Sequence, residues 1–106
     1  MRAPLEGLHV IDLTRALAGP YCAMLFADLG ADVIKVEPLH GDVSRTQGPY
    51  RADDELLAFG GYFASVNRNK RSIAVDLSNA EGVDVVRRLA READVLIENF
   101  RPHVME

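Results

Sequence analysis

From Leu8 to Glu37 the chain switches between two apolar patterns. Leu8, Val10, Ile11 and Leu13 form a short run of strand formers, and Val33, Ile34 and Val36, closed by Glu37, form another. Between them Pro20 to about Leu29 is apolar at nearly every position and interrupted only by Asp28. Short β-branched runs flanking a longer apolar run predict strand, helix, strand. Pro20 suits a first helical position, where an N–H would have no intrahelical partner, and Gly30 suits the stop. A helix apolar on every side is expected to be buried all round, which makes Cys22 a buried structural thiol. Such a unit aims helix N-terminal amides beyond the carboxyl end of the first strand, where open α/β sheets take anionic ligands.

The same patterns recur downstream. Ser72 to Leu77 reads as a strand, Asn79 to Ala93 as an amphipathic helix and Asp94 to Ile97 as a further strand. In the helix Val83, Val86, Leu89, Ala90 and Ala93 share one face and leave Arg87, Arg88 and Arg91 outside. Ser78 with Glu81 three residues later has the form of a capping box. The order β-α-β-loop-β-α-β predicts an α/β, Rossmann-like parallel sheet with helices on both faces, in one domain over residues 1–106. The segment Pro38 to Gly61, with Pro49, Gly41, Gly48 and Gly60, breaks this plan. A connection of that length is either a functional, packed element or a surface loop.

Charge and composition exclude several classes. Twelve Lys and Arg against sixteen Asp and Glu give a net charge of −4, so no nucleic acid and no anionic membrane surface is expected as a partner. The start MRAPLEGLHV has no apolar signal core, and no segment approaches the roughly 20 apolar residues of a membrane span; the expected location is cytoplasmic. Cys22 is the one cysteine, which leaves no internal disulfide or cysteine metal cluster. His9, His40 and His103 lack metal or triad spacing. Asp12, Asp28, Asp32, Asp76 and Asp94 fall at strand and helix ends as structural acids do. No metal ligand and no catalytic residue is assigned.

The first turn decides against a dinucleotide. A G-x-G-x-x-G fingerprint lets the backbone approach a pyrophosphate, whereas Arg15-Ala16-Leu17-Ala18-Gly19-Pro20 has a single glycine. Glu37 stands where a ribose-binding acid would, but one acid at a strand end is commonplace. The basic run Arg68-Asn69-Lys70-Arg71 could meet phosphate or be a solvated loop.

Four blocks in one order, LTRALAGPYCAMLFADLGADVIKVEP, GDVSRTQGP, VNRNKRSIAVDLSNAEG and ADVLIENFRP, resemble the N-terminal portion of the class III, formyl-CoA transferase-like, coenzyme A transferases. That superfamily also contains the α-methylacyl-CoA racemases. The resemblance covers nearly the whole chain. It implies the N-terminal part of a larger, interlocked-dimer fold, with the family's nucleophilic aspartate downstream of Glu106, so that this part alone turns nothing over. Coenzyme A is then a substrate, with no prosthetic group, and the partners are an acyl-CoA, a small carboxylic acid and a second copy of the chain. The implied reaction passes an acyl-CoA to an aspartate as a mixed anhydride and returns CoA through an aspartyl-CoA thioester.

The family positions that line the coenzyme fall on Leu17, Ala18, Val75, Asn99 and Phe100, with Arg15 facing the same crevice. Chemically, Ala18-Gly19 allows close backbone approach, Asn99 offers donor and acceptor to an adenine or ribose edge, and Phe100 offers a ring face. As plain structure, the same residues would be a helix-starting turn, a turn cap and core packing. The formyl enzymes carry basic residues near where Pro38 and Ser78 stand, and histidine and glutamine in place of Arg15 and Leu17. These departures point away from formyl or oxalate specificity. A racemase, using a His/Asp pair from elsewhere, is the alternative within the superfamily, disfavoured by the long stretch between the second and third strands. A non-catalytic nucleotide-binding or assembly module is the alternative outside it.

Overall fold

The computed structural model describes residues 2–106. Four short strands, β1 (His9–Asp12), β2 (Asp32–Glu37), β3 (Arg71–Ala74) and β4 (Val95–Ile97), form one sheet in the order β3-β2-β1-β4. All three pairings are parallel, with Val10 beside both Val33 and Val95, and Val36 beside Ile73. Successive side chains on a strand face opposite ways, so each strand feeds two cores. Val10 and Val33 pack with Ala23, Ala27 and Ala31 under helix α1 (Ala18–Asp28). Ile11, Leu13, Val36 and Val75 pack under helix α3 (Ala80–Arg91). Helices therefore cover both faces, as the sequence order predicts.

The element edges move for identifiable reasons. The strand expected at Ser72–Leu77 ends at Ala74. Val75 still donates its N–H to the Glu37 carbonyl at 2.9 Å, but β2 turns away at Pro38, and the Asp76 carboxylate accepts the Ser78 N–H and hydroxyl. Ser78 is thereby spent, and the N-cap of α3 is Asn79, whose side chain accepts from the Gly82 N–H at 2.8 Å. Asn and Ser are equally good caps, so the capping box gives way to the residue one place on. Helix α3 seats Val85, Val86 and Leu89 on the sheet, with Ala93 just beyond its end joining them, while Val83 and Ala90 line a cavity beside it.

Helix α1 corrects a larger expectation. It begins at Ala18, so Pro20 is the third helical residue, and it is not buried all round. Pro20, Ala23, Met24 and Ala27 are buried, whereas Leu17, Tyr21, Leu25 and Leu29 are 45–55% exposed. That four-residue spacing makes one continuous apolar stripe. Cys22 is exposed too, not a buried structural thiol. A four-stranded sheet has area for one face of the helix, and the described residues leave Leu17, Tyr21, Leu25 and Leu29 about half exposed on the other.

The long segment after β2 is packed. It contains a 3-10 turn (Val43–Thr46) and helix α2 (Gly61–Val66), and it is tied down by Arg45. The guanidinium grips both Glu37 carboxylate oxygens at 2.7 and 2.8 Å and lies 3.7 Å from the Phe63 ring centroid. Glu37 also accepts the Asp42 N–H and the Ser72 hydroxyl. Among the described residues no helix is long and apolar enough to cross a membrane.

Two expected outcomes follow from this packing. A Cβ at Gly82 would lie 1.8 Å from the Asp76 carbonyl oxygen, so Gly82→Ala should lower the urea unfolding free energy by about 1–3 kcal/mol, the usual range for overpacking; an unchanged value would contradict the close approach. Burial alone would raise the pKa of Glu37, but hydrogen bonds from Arg45, Ser72 and the Asp42 backbone, with the Arg45 charge, bring it from 4.5 down to about 2. A depressed carboxylate stabilises the fold above its unfolded pKa, and that contribution disappears as pH falls through the folded one. Stability should therefore drop between pH 4.5 and 2, more steeply than in Glu37→Gln; equal slopes would contradict it.

Candidate functional site

The sheet order reverses direction between β1 and β4: β2 and β3 build outward on one side of β1, and the chain then crosses to the other. Ligand crevices in open α/β sheets form outside the carboxyl ends of strands at such a switch. A crevice of about 340 Å³ opens there, within the usual size range for small-molecule sites. Residues following all four strands wall it: Leu13 and Arg15 after β1, Glu37 to His40 at the end of β2, Val75 to Ser78 after β3, and Phe100 after β4.

Of the six residues expected at the site, Arg15, Val75 and Phe100 line this crevice. Asn99 is joined to it through Arg15, accepting the Arg15 N–H and donating to the Arg15 carbonyl, both at 3.0 Å. The Arg15 guanidinium lies 5.3 Å from the Phe100 ring centroid. Three residues from opposite ends of the chain thus form one contact group. The carboxamide expected to meet an adenine or ribose edge is engaged by backbone, so Asn99 fixes the direction in which the turn leaves β1. Leu17 and Ala18 do not line the crevice; they are exposed on the turn that leads from Arg15 into α1. Leu17 is the N-cap of α1 without a side-chain cap, leaving the first amides of the helix to outside acceptors.

The turn between Thr14 and Pro20 has an enforced shape. A Cβ at Gly19 would lie 2.3 Å from the Thr14 Cβ, so only glycine lets the turn fold back on Thr14. Ala16 adopts φ +67°, a left-handed conformation that costs a side-chain-bearing residue about 1–2 kcal/mol. At the entrance the Lys35 ammonium donates to the Thr14 carbonyl at 3.0 Å. At the exit the Lys70 ammonium donates to the Pro20 carbonyl at 2.9 Å.

The basic run that leads into β3 is engaged by acids of the fold. Arg68 pairs with Asp28 at 2.6 Å and Arg71 with Asp32 at 2.7 Å. Lys70 is 1% exposed and bonds Asp12, Pro20 and Asn67. Burial lowers its pKa, and Asp12 opposes that shift. Each cation faces acids that the sequence had placed only at element ends. Glu37 is likewise engaged by Arg45 and Ser72, which removes it as a free ribose acceptor and agrees with the absence of a dinucleotide fingerprint.

Sequence reasoning missed Leu39, His40, Asp76 and Leu77 as wall residues. Their shared signal is position, directly after a parallel strand. Pro38 and Ser78, the two places without an expected basic residue, both lie in the wall. Arg15 and His40 are the cationic and titratable basic groups left on it. The crevice can therefore offer an apolar slot, one guanidinium and backbone donors to a flat, partly anionic ligand.

The family profile described as CoA-transferase family III matches residues 5–106. The chain is 51% identical over 102 residues to a succinyl-CoA:mesaconate CoA-transferase of Haloarcula hispanica, covering 96% of this chain and 26% of that protein. It is 52% identical to a succinate–glutarate CoA-transferase of Agrobacterium fabrum, covering 94% and 26%. Among solved structures, a CAIB/BAIF family protein from Brucella suis superposes with a TM-score of 0.87 at 52% identity, over 94% of this chain and 26% of that one. The chain spans about a quarter of the length of these relatives. A profile match over nearly every residue, on a fold that superposes closely, places the chain in CoA-transferase family III.

Proposed function

We propose that the polypeptide carrying this chain moves coenzyme A between an acyl-CoA and a carboxylic acid, and that this chain supplies one wall of the coenzyme site. The observation that carries the reading is the crevice at the β1/β4 switch, where Arg15, Asn99 and Phe100 form one contact group at the start of the turn carrying Leu17 and Ala18, and where Val75 lines the same wall. Arg15 attracts phosphate charge, Phe100 and Val75 give an apolar slot, and Leu17 and Ala18 let the coenzyme approach the first amides of α1. Asn99 acts by holding Arg15. The two curated relatives are named for succinyl or succinate paired with a second dicarboxylic acid, which makes dicarboxylates the first substrates to try.

Covalent transfer through an aspartyl-CoA thioester divides one acyl exchange into easier steps. Every aspartate expected to be structural is engaged by the fold: Asp12 by Lys70, Asp28 by Arg68, Asp32 by Arg71, Asp76 by Ser78 and Asp94 by the His9 N–H. The nucleophile in this reading lies in the part of the relatives that the chain does not span. This chain by itself is then inactive and binds CoA weakly, on the order of millimolar, with an affinity that falls with salt. The stripe Leu17, Tyr21, Leu25 and Leu29 belongs against a second copy of the chain in a homodimer.

Two measurements check this. The natural-length polypeptide incubated with succinyl-CoA and a second dicarboxylate should yield the new thioester, and hydroxylamine or borohydride should trap an aspartyl adduct. No adduct, together with rapid α-proton exchange, would move the assignment to racemisation. Sedimentation at tens of micromolar should show association, and Leu25→Glu should weaken it; a monodisperse monomer would contradict the assembly.

A further inference from the structure

We infer that Lys35 and Lys70 are positioning residues for the coenzyme: two buried ammonium groups that clamp the Thr14–Pro20 turn at both ends, so that its exposed backbone is set before the ligand arrives. This inference rests on the reading of the crevice as a coenzyme A site. The two side chains come from different elements, β2 and the segment before β3, and each is 1% exposed. Each makes its carbonyl bond to the same turn, one at Thr14 and one at Pro20. Each is charge-balanced by its own buried acid, Lys35 by Asp42 at 3.4 Å and Lys70 by Asp12 at 2.8 Å. Asp12 joins the two ends of the turn. One of its oxygens accepts the Thr14 N–H and hydroxyl, and the other accepts Lys70.

Burying two ammonium groups is an expensive way to gain stability, since well-packed apolar residues of similar volume often do as well or better. A defined conformation is what such groups add here. Between the clamped ends, residues 15–18 are exposed, and Ala16 holds its left-handed conformation. Conformations of that kind persist only when their surroundings over-determine them. The clamp at both ends, the Asn99 brace on Arg15 and the Gly19–Thr14 contact provide that over-determination. A turn fixed in advance spares the ligand the entropy of ordering it.

The test compares CoA binding by calorimetry in the natural-length polypeptide and three variants of it. Removing Lys70 alone would strand the Asp12 carboxylate, so the clamp is opened with the neutral pair Asp12→Asn/Lys70→Met. Leu5→Ala serves as a control, a truncation against the core before β1, at the opposite end of that strand from the turn, that lowers the melting temperature. Lys35→Met/Asp42→Asn opens the other end. The clamp predicts that each double variant, at a melting temperature matched by the control, binds CoA at least tenfold more weakly. It also predicts that KM for acyl-CoA rises with little change in kcat, while Leu5→Ala binds as the parent does. Folded double variants with parental affinity would overturn the clamp with the site reading intact. No CoA binding by the parent would overturn the site reading and the clamp with it. Independently of any variant, backbone order parameters of residues 15–19 in the ligand-free protein should match those of the strands, about 0.85; values below about 0.6 would overturn the proposal even if the double variants did not fold.

Discussion

A layer of buried charge across the carboxyl ends of β1 and β2 is the constraint on which the rest depends. Asp12, Lys35, Glu37 and Asp42 are all buried: Asp12 pairs with Lys70 before β3, Glu37 with Arg45 in the 3-10 turn, and Lys35 with Asp42 beyond β2 while it also holds the Thr14 carbonyl. An unpaired buried charge costs several kcal/mol, so these partners must come together or the sheet cannot close over them. The layer thereby fixes the two irregular segments that hydrophobic burial alone would leave free, the Thr14–Pro20 turn and the long connection after β2.

The apolar cores and this polar layer divide the work. Val10, Val33 and the alanines of α1 on one face, and Ile11, Leu13, Val36 and Val75 on the other, hold the sheet between its helices. They set where each strand ends. The ionic layer sets how the chain leaves the strand, and the crevice is made of those departures. Glu37 shows the coupling most plainly. Its carboxylate anchors Arg45, which orders the connection against Phe63, and the same residue stands in the crevice wall beside Pro38 and His40.

Much of this was legible in the sequence, and the remainder was hidden for physical reasons. Short apolar runs marked β1, β2 and β4, because strands covered on both faces are apolar at successive positions. The two-sided sheet followed from their order. Arg15, Val75 and Phe100 come together in the wall of one crevice, and Asn99 is bonded to Arg15 beside them, since all follow parallel strands. The exposure of Tyr21, Cys22, Leu25 and Leu29 was not legible, because an all-apolar helix shows that burial is wanted without showing what supplies it. Nor were the partners of Arg68, Lys70 and Arg71, which lie roughly forty to sixty residues away in the chain. Local charge patterning carries no record of such pairs. Asn99 was found, but its contact was not, because a carboxamide suits a backbone as well as it suits a base.

The most direct test of the account is a CoA titration of this chain followed through its backbone amide shifts. If the crevice at the β1/β4 switch holds the coenzyme, Arg15, Leu17, Ala18, Val75, Asn99 and Phe100 should move together along one saturating curve, and added salt should shift the midpoint to higher CoA concentration. Shifts confined to residues 43–59, with Ala18, Asn99 and Phe100 silent, would place the ligand elsewhere and contradict the account.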